Sequence, residues 1–143
     1  MGNRNKNKTK LNKEYPIVGK ILVSAIKSVS KFFFVRCDAR NIRCKVQNAL
    51  RHNRQHIEEI EDQLNNLGLR MDDYAKYIAS NYNRICLGNK PCSLVLVVKN
   101  DGLNHMAAIC LTYYAEEDFW MITSTRAIRS KDLDKMTIVW ERK

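Results

Sequence analysis

The chain has 143 residues, with 25 Lys and Arg against 15 Asp and Glu, a formal charge of +10, and 45% hydrophobic residues. This length fits one domain, or one domain with a tail, rather than two ordinary domains, and the hydrophobic fraction excludes disorder throughout. Five cysteines without a C-x-x-C spacing are too sparse for a disulfide scaffold and point to a reducing compartment.

The charge is unevenly placed. Residues 1–56 hold 14 basic and two acidic side chains, whereas residues 57–143 hold 11 basic and 13 acidic ones. Such asymmetry points to a basic arm or face for a polyanion, DNA or RNA, or for other subunits of a large assembly, on a near-neutral body. No stretch of 18 apolar residues exists, so no transmembrane helix is expected. The apolar run after Ile17 is broken by Lys20, Lys27 and Lys31, too soon for a secretory segment, and Lys6 spoils a myristoylation motif after Gly2. A cytoplasmic or virion-associated protein is the expectation.

In chain order, residues 1–16 read as a basic arm, with Arg4, Lys6, Lys8, Lys10 and Lys13 as candidate contacts, and residues 17–143 as a single domain. Residues 17–34 read as an amphipathic helix, with Val18, Ile21, Leu22, Ala25, Val29, Phe32 and Phe33 on one side and Lys20, Ser24, Lys27 and Lys31 on the other. Such a helix packs on its own core with a solvated lysine face, or docks on a membrane surface or in a partner's groove.

Residues 40–66 show the clearest helical period, with Ile42, Val46, Ala49, Leu50, Ile57, Ile60 and Leu64 on one face. Arg40, Arg43, Gln47, Arg51 and Arg54 line a second face. A stripe of guanidinium forks suits phosphates; the alternative is a solvated face with pairs such as Arg54 to Glu58. His52 and His56 have metal-pair spacing but no third ligand nearby, so neither a metal nor a cofactor is expected. Gly68 supplies a helix end. Residues 72–85 read as a further helix started by Asp72 and Asp73, with Tyr74, Ile78 and Tyr82 recurring at four.

The period then changes. Residues 93–99, 105–114, 119–124 and 136–140 read as strands separated by turn chemistry. The expected fold is therefore α+β, with N-terminal helices followed by an antiparallel sheet of about four strands. Cys86 and Cys92 bracket the loop before the first of these strands. His105, at the start of the second, has the placing of a general base or of a structural histidine.

Met71-Asp72-Asp73-Tyr74-Ala75 at a helix start, the strand Leu94–Val98, His105-Met106-Ala107-Ala108, and Met121-Ile122-Thr123-Ser124 together resemble the bacterial transglutaminase-like cysteine proteinases of the papain/transglutaminase-like group. The resemblance spans residues 68–140. It implies a catalytic Cys at the helix start, a catalytic His opening a strand, and an orienting Asp on the next strand. Here the nucleophile position is Met71 and the Asp position is Thr123, so only His105 is retained, and a thioether cannot act as a thiolate nucleophile. The resemblance thus implies a degenerate, non-catalytic member. Since such domains also occur in phage genomes, it implies a structural component of a phage virion or other nucleoprotein assembly. The alternative is an active cysteine peptidase or amidase pairing His105 with Cys86 or Cys92, and a second alternative is membrane docking through residues 17–34.

Overall fold

The computed structural model describes residues 11–32, 39–44, 71–100, 103–113 and 117–142, without the side chains of Phe32, Met71 and Asp72. Seven strands form one sheet: β1 (Ile17–Lys20), β2 (Asn41–Cys44), β3 (Arg84–Leu87), β4 (Ser93–Val98), β5 (Asn104–Tyr113), β6 (Asp118–Ile128) and β7 (Ile138–Glu141). Their order is β1-β2-β6-β5-β4-β3-β7. The β2–β6 pair is parallel and every other pair is antiparallel. Among the described residues the sheet is accompanied by α1 (Val23–Phe32), α2 (Met71–Asn81) and the single turn α3 (Ser130–Leu133), besides a helical turn over residues 11–14.

This corrects the expected fold class. Instead of N-terminal helices leading to a four-stranded antiparallel sheet, the chain builds one seven-stranded mixed sheet, with few and short helices among the described residues. Three segments expected to be helical are strands. The expected 17–34 helix begins with β1, so only its second part is helical. The expected 40–66 helix begins with β2; its remainder falls outside the described residues. The end of the expected 72–85 helix is β3.

The reason is that short apolar runs satisfy both periods, and the partner then decides. Ile42 and Cys44, two apart, point one way and bury against the helices' layer, while Arg43 between them points the other way. Pairing β2 with β6 gives that alternation its partner, Ile42 opposite Trp120 and Cys44 opposite Ile122. Gly19 makes β1 compatible with α2 above it, since a Cβ there would lie 2.7 Å from the carbonyl oxygen of Ala79.

The core has two layers. On one face of the sheet, Ile21, Ala25 and Val29 of the α1 segment and Tyr74, Ile78 and Tyr82 of the α2 segment pack on Leu94, Leu96, Ile109, Trp120 and Ile122. On the other face, Leu133 covers Cys86, Val95, Val97, Met106 and Ile128. The fold reaches back to Leu11, which is buried in a helical turn over residues 11–14.

Candidate functional site

His105 is the second residue of β5, held between Val98 of β4 and Ala127 of β6. Its ring lies on the face that carries α2. Tyr74 and Tyr77 are three apart on that helix and so project from one side of it. Both meet the imidazole edge-on, with centroids 5.5 and 6.0 Å away and planes at 87° and 86°. The Tyr74 hydroxyl is 2.7 Å from His105 Nδ1. The histidine is 3% exposed and Tyr74 1%.

Burial determines the protonation of this pair. Desolvation lowers the imidazole pKa from its ordinary 6.5. Desolvation, with the nearby Tyr77, raises that of the Tyr74 phenol. Both groups are therefore neutral near pH 7. The tautomer sets the direction of their bond: the phenol O–H donates to Nδ1 when the ring proton is on Nε2, and Nδ1–H donates to the phenol oxygen when it is on Nδ1. A neutral, enclosed imidazole held by a phenol is a packed hydrogen-bonding unit, and Tyr74, not an acid, orients it.

The other positions implied by the resemblance do not gather around it. Met71 opens α2 one turn before Tyr74, and its side chain is outside the described residues. Thr123 sits at the irregularity between Ala108 and Ile109 and donates its hydroxyl to the Ala108 carbonyl at 3.3 Å, four residues along β6 from the Ala127 that faces His105. Cys86 points into the opposite face of the sheet. Cys92 precedes Ser93, at the far end of β4 from Val98, roughly 17 Å away at the rise of a strand. Burial raises the thiol pKa of Cys44 and Cys86, which suppresses their thiolates. The pairing of His105 with Cys86 or Cys92 thus has no geometric support. Among the described residues no group of three or more His, Cys, Asp and Glu side chains gathers as metal ligands.

The candidate basic residues separate into three sets. Arg4, Lys6, Lys8, Lys10, Arg51 and Arg54 lie outside the described residues, as do His52 and His56. Lys13 is exposed on the N-terminal helical turn, and Arg40 is exposed with its Nε donating to the Ile21 carbonyl at 3.1 Å. Arg43 is on β2 and 4% exposed. Its guanidinium donates to Glu117 at 3.0 and 2.6 Å, to Asn12 Oδ1 at 2.8 Å and to the Tyr15 carbonyl at 2.8 Å. It also lies 5.6 Å over the Phe119 ring. So fully engaged, Arg43 ties the N-terminal segment to the sheet; a helical stripe of Arg40 and Arg43 does not form.

The lysine face of residues 17–34 takes a different form from a continuous helix. In α1, Ala25 and Val29 are buried and Val23, Ser24, Lys27 and Lys31 are exposed. The apolar side of α1 is thus covered by the protein's own core, which removes the ground for membrane docking through it. Lys20, at the end of β1, is also exposed. Among the described residues none of these three lysines is paired with an acid, and the sequence from Tyr15 to Cys37 contains no Asp or Glu.

The residues that the sequence reading missed are Tyr77, as a wall of the His105 site, and Glu117, as the partner of Arg43. The spacing of Tyr74 and Tyr77 was visible in the sequence. Glu117 carried no local signal, being 74 residues from Arg43. Comparison with protein-family models, with curated proteins and with solved structures finds no match.

Proposed function

We propose that this protein is a non-catalytic binding module that holds nucleic acid through its basic N-terminal region, as a component of a nucleoprotein assembly. The observation that carries this reading is the outward face of α1. Its apolar side is committed to the core, so Lys27 and Lys31 face solvent, with Lys20 at the end of β1 also exposed and, among the described residues, no acid paired with any of them. Lysine ammonium groups in this state bind phosphates by charge, with affinity that does not depend on base sequence. The arm residues Arg4, Lys6, Lys8 and Lys10 add to the same charge in sequence. The non-catalytic half of the reading is supported by the enclosure of His105 between Tyr74 and Tyr77 and by the separation of Thr123, Cys86 and Cys92 from it.

Fluorescence anisotropy with labelled duplex DNA and RNA, titrated across a series of salt concentrations, tests it. Binding that weakens steeply and linearly in log salt is expected. Absent or salt-independent binding overturns the nucleic-acid reading, and a single hyper-reactive cysteine found with an activity-based thiol probe overturns the non-catalytic one.

A further inference from the structure

Among the described residues, the sheet face opposite α1 and α2 is only partly covered. Leu133 and Met136 close one part of it. Beside them a groove of about 350 Å³ remains, floored by Val95, Ala108, Cys110 and Ser124. Its volume is within the range of small-molecule sites. Among the described residues, Lys90 and Arg126 are the two charged ones that line it, and no carboxylate does.

The two cations stand at opposite ends. Arg126 faces Met106 across the β5–β6 ladder, and its Nε lies 3.4 Å from the Met106 sulfur. Lys90 is tied to Ser93, whose hydroxyl accepts from the Lys90 amide at 3.0 Å and donates to its carbonyl at 2.6 Å. Ser93 faces Cys110 across the β4–β5 ladder. From Met106 to Cys110 is about 13 Å along the strand. Among the described residues neither cation is paired with an acid.

The Lys90 end is held under strain. Cys92 has φ of 55°, a left-handed conformation that an L side chain rarely adopts, so the surrounding bonds must enforce it. They are the Gly88 amide to the Ser93 carbonyl and the Leu111 amide to the Cys92 carbonyl, both at 3.0 Å. Gly88 admits no side chain, because a Cβ would lie 2.1 Å from the Ser93 hydroxyl. A loop so constrained gives Lys90 a fixed base.

We propose that this groove binds a small, elongated organic dianion, its two anionic ends at Lys90 and Arg126 and its apolar middle over Val95 and Ala108. Two cations, unpaired among the described residues and separated by a small-residue, largely apolar floor, favour such a ligand over a neutral or singly charged one. The groove and the lysine face of α1 are on opposite sides of the sheet, so either reading can fail without the other.

The test is titration of the full chain, followed by amide NMR shifts and calorimetry, with octanedioate, octanoate and 1,8-octanediol. Octanedioate is expected to bind at least tenfold more tightly than octanoate, to shift the amides of Ala108, Cys110 and Ser124, and to lose that advantage in Lys90→Ala and in Arg126→Ala. Both residues are exposed, so these variants keep the fold, which the unperturbed amides elsewhere would verify. Equal binding of dianion and diol, undiminished binding in both variants, or no shift at these three amides overturns the proposal.

Discussion

Arg43 and Glu117, 74 residues apart, are joined by a two-donor ion pair that fastens β2 and the segment after Leu11 to the loop before β6. The guanidinium is buried and each of its nitrogens has an acceptor, so taking away one partner strands a charge in the interior. Glu117→Ala is expected to lower unfolding stability by about 2–4 kcal/mol, read from urea denaturation. Arg43→Lys should also be destabilised, because one ammonium cannot reach Glu117, Asn12 and Tyr15 together. A variant as stable as the parent would show that this pair does not hold the N-terminal segment.

The Tyr74–His105 pair makes stability depend on pH. The folded imidazole titrates below 6.5 while the unfolded one titrates near it. Between those values the unfolded chain carries more protons, so this contribution is fully present above pH 6.5 and is lost as pH falls through the folded value. The denaturation midpoint should therefore drop from pH 7.5 to pH 5 more in the parent than in His105→Phe. A rise in stability on acidification that disappears in the variant would contradict the burial described.

Tyr74→Phe isolates the hydrogen bond from the packing. It removes the hydroxyl partner of Nδ1 but keeps the ring, so a loss of about 1–3 kcal/mol is expected from a buried polar group left unsatisfied, again by chemical denaturation. No loss would mean that the edge contacts with Tyr74 and Tyr77 hold the imidazole without the bond.

On α1, the double charge reversal Lys27→Glu, Lys31→Glu should leave the melting temperature nearly unchanged, since both side chains are exposed and, among the described residues, unpaired. It should weaken duplex binding at low salt by roughly tenfold or more and make the salt dependence shallower. Unchanged affinity would move the nucleic-acid contact away from this helix.

Timed alkylation with mass spectrometric readout should label Cys92 and Cys110, both partly exposed, well before Cys44 and Cys86, which are buried with raised thiol pKa values. Fast selective labelling of Cys86 would reopen the nucleophile question.

The late strands and the α2 helix were legible in the sequence because their signals are local. Ser93–Val98 is an unbroken apolar run, and the Asp pair before Tyr74 marks a helix start. That Met71 cannot serve as a thiolate was equally legible, being a matter of residue chemistry alone. β1, β2 and β3 were not legible: Ile17–Lys20, Asn41–Cys44 and Arg84–Leu87 are four-residue runs that match a helical stripe as well as a strand. Their state depends on ladder hydrogen bonds to distant segments, and no local propensity encodes those. The sequence by itself determined the cationic bias of the first 56 residues and the buried apolar strands. Only the tertiary structure decided that Arg43 faces inward to Glu117, that Tyr74 and not Thr123 meets His105, and that Lys90 and Arg126 share a groove, because each of these is a contact between segments whose sequences carry no mutual signal until the sheet brings them into register.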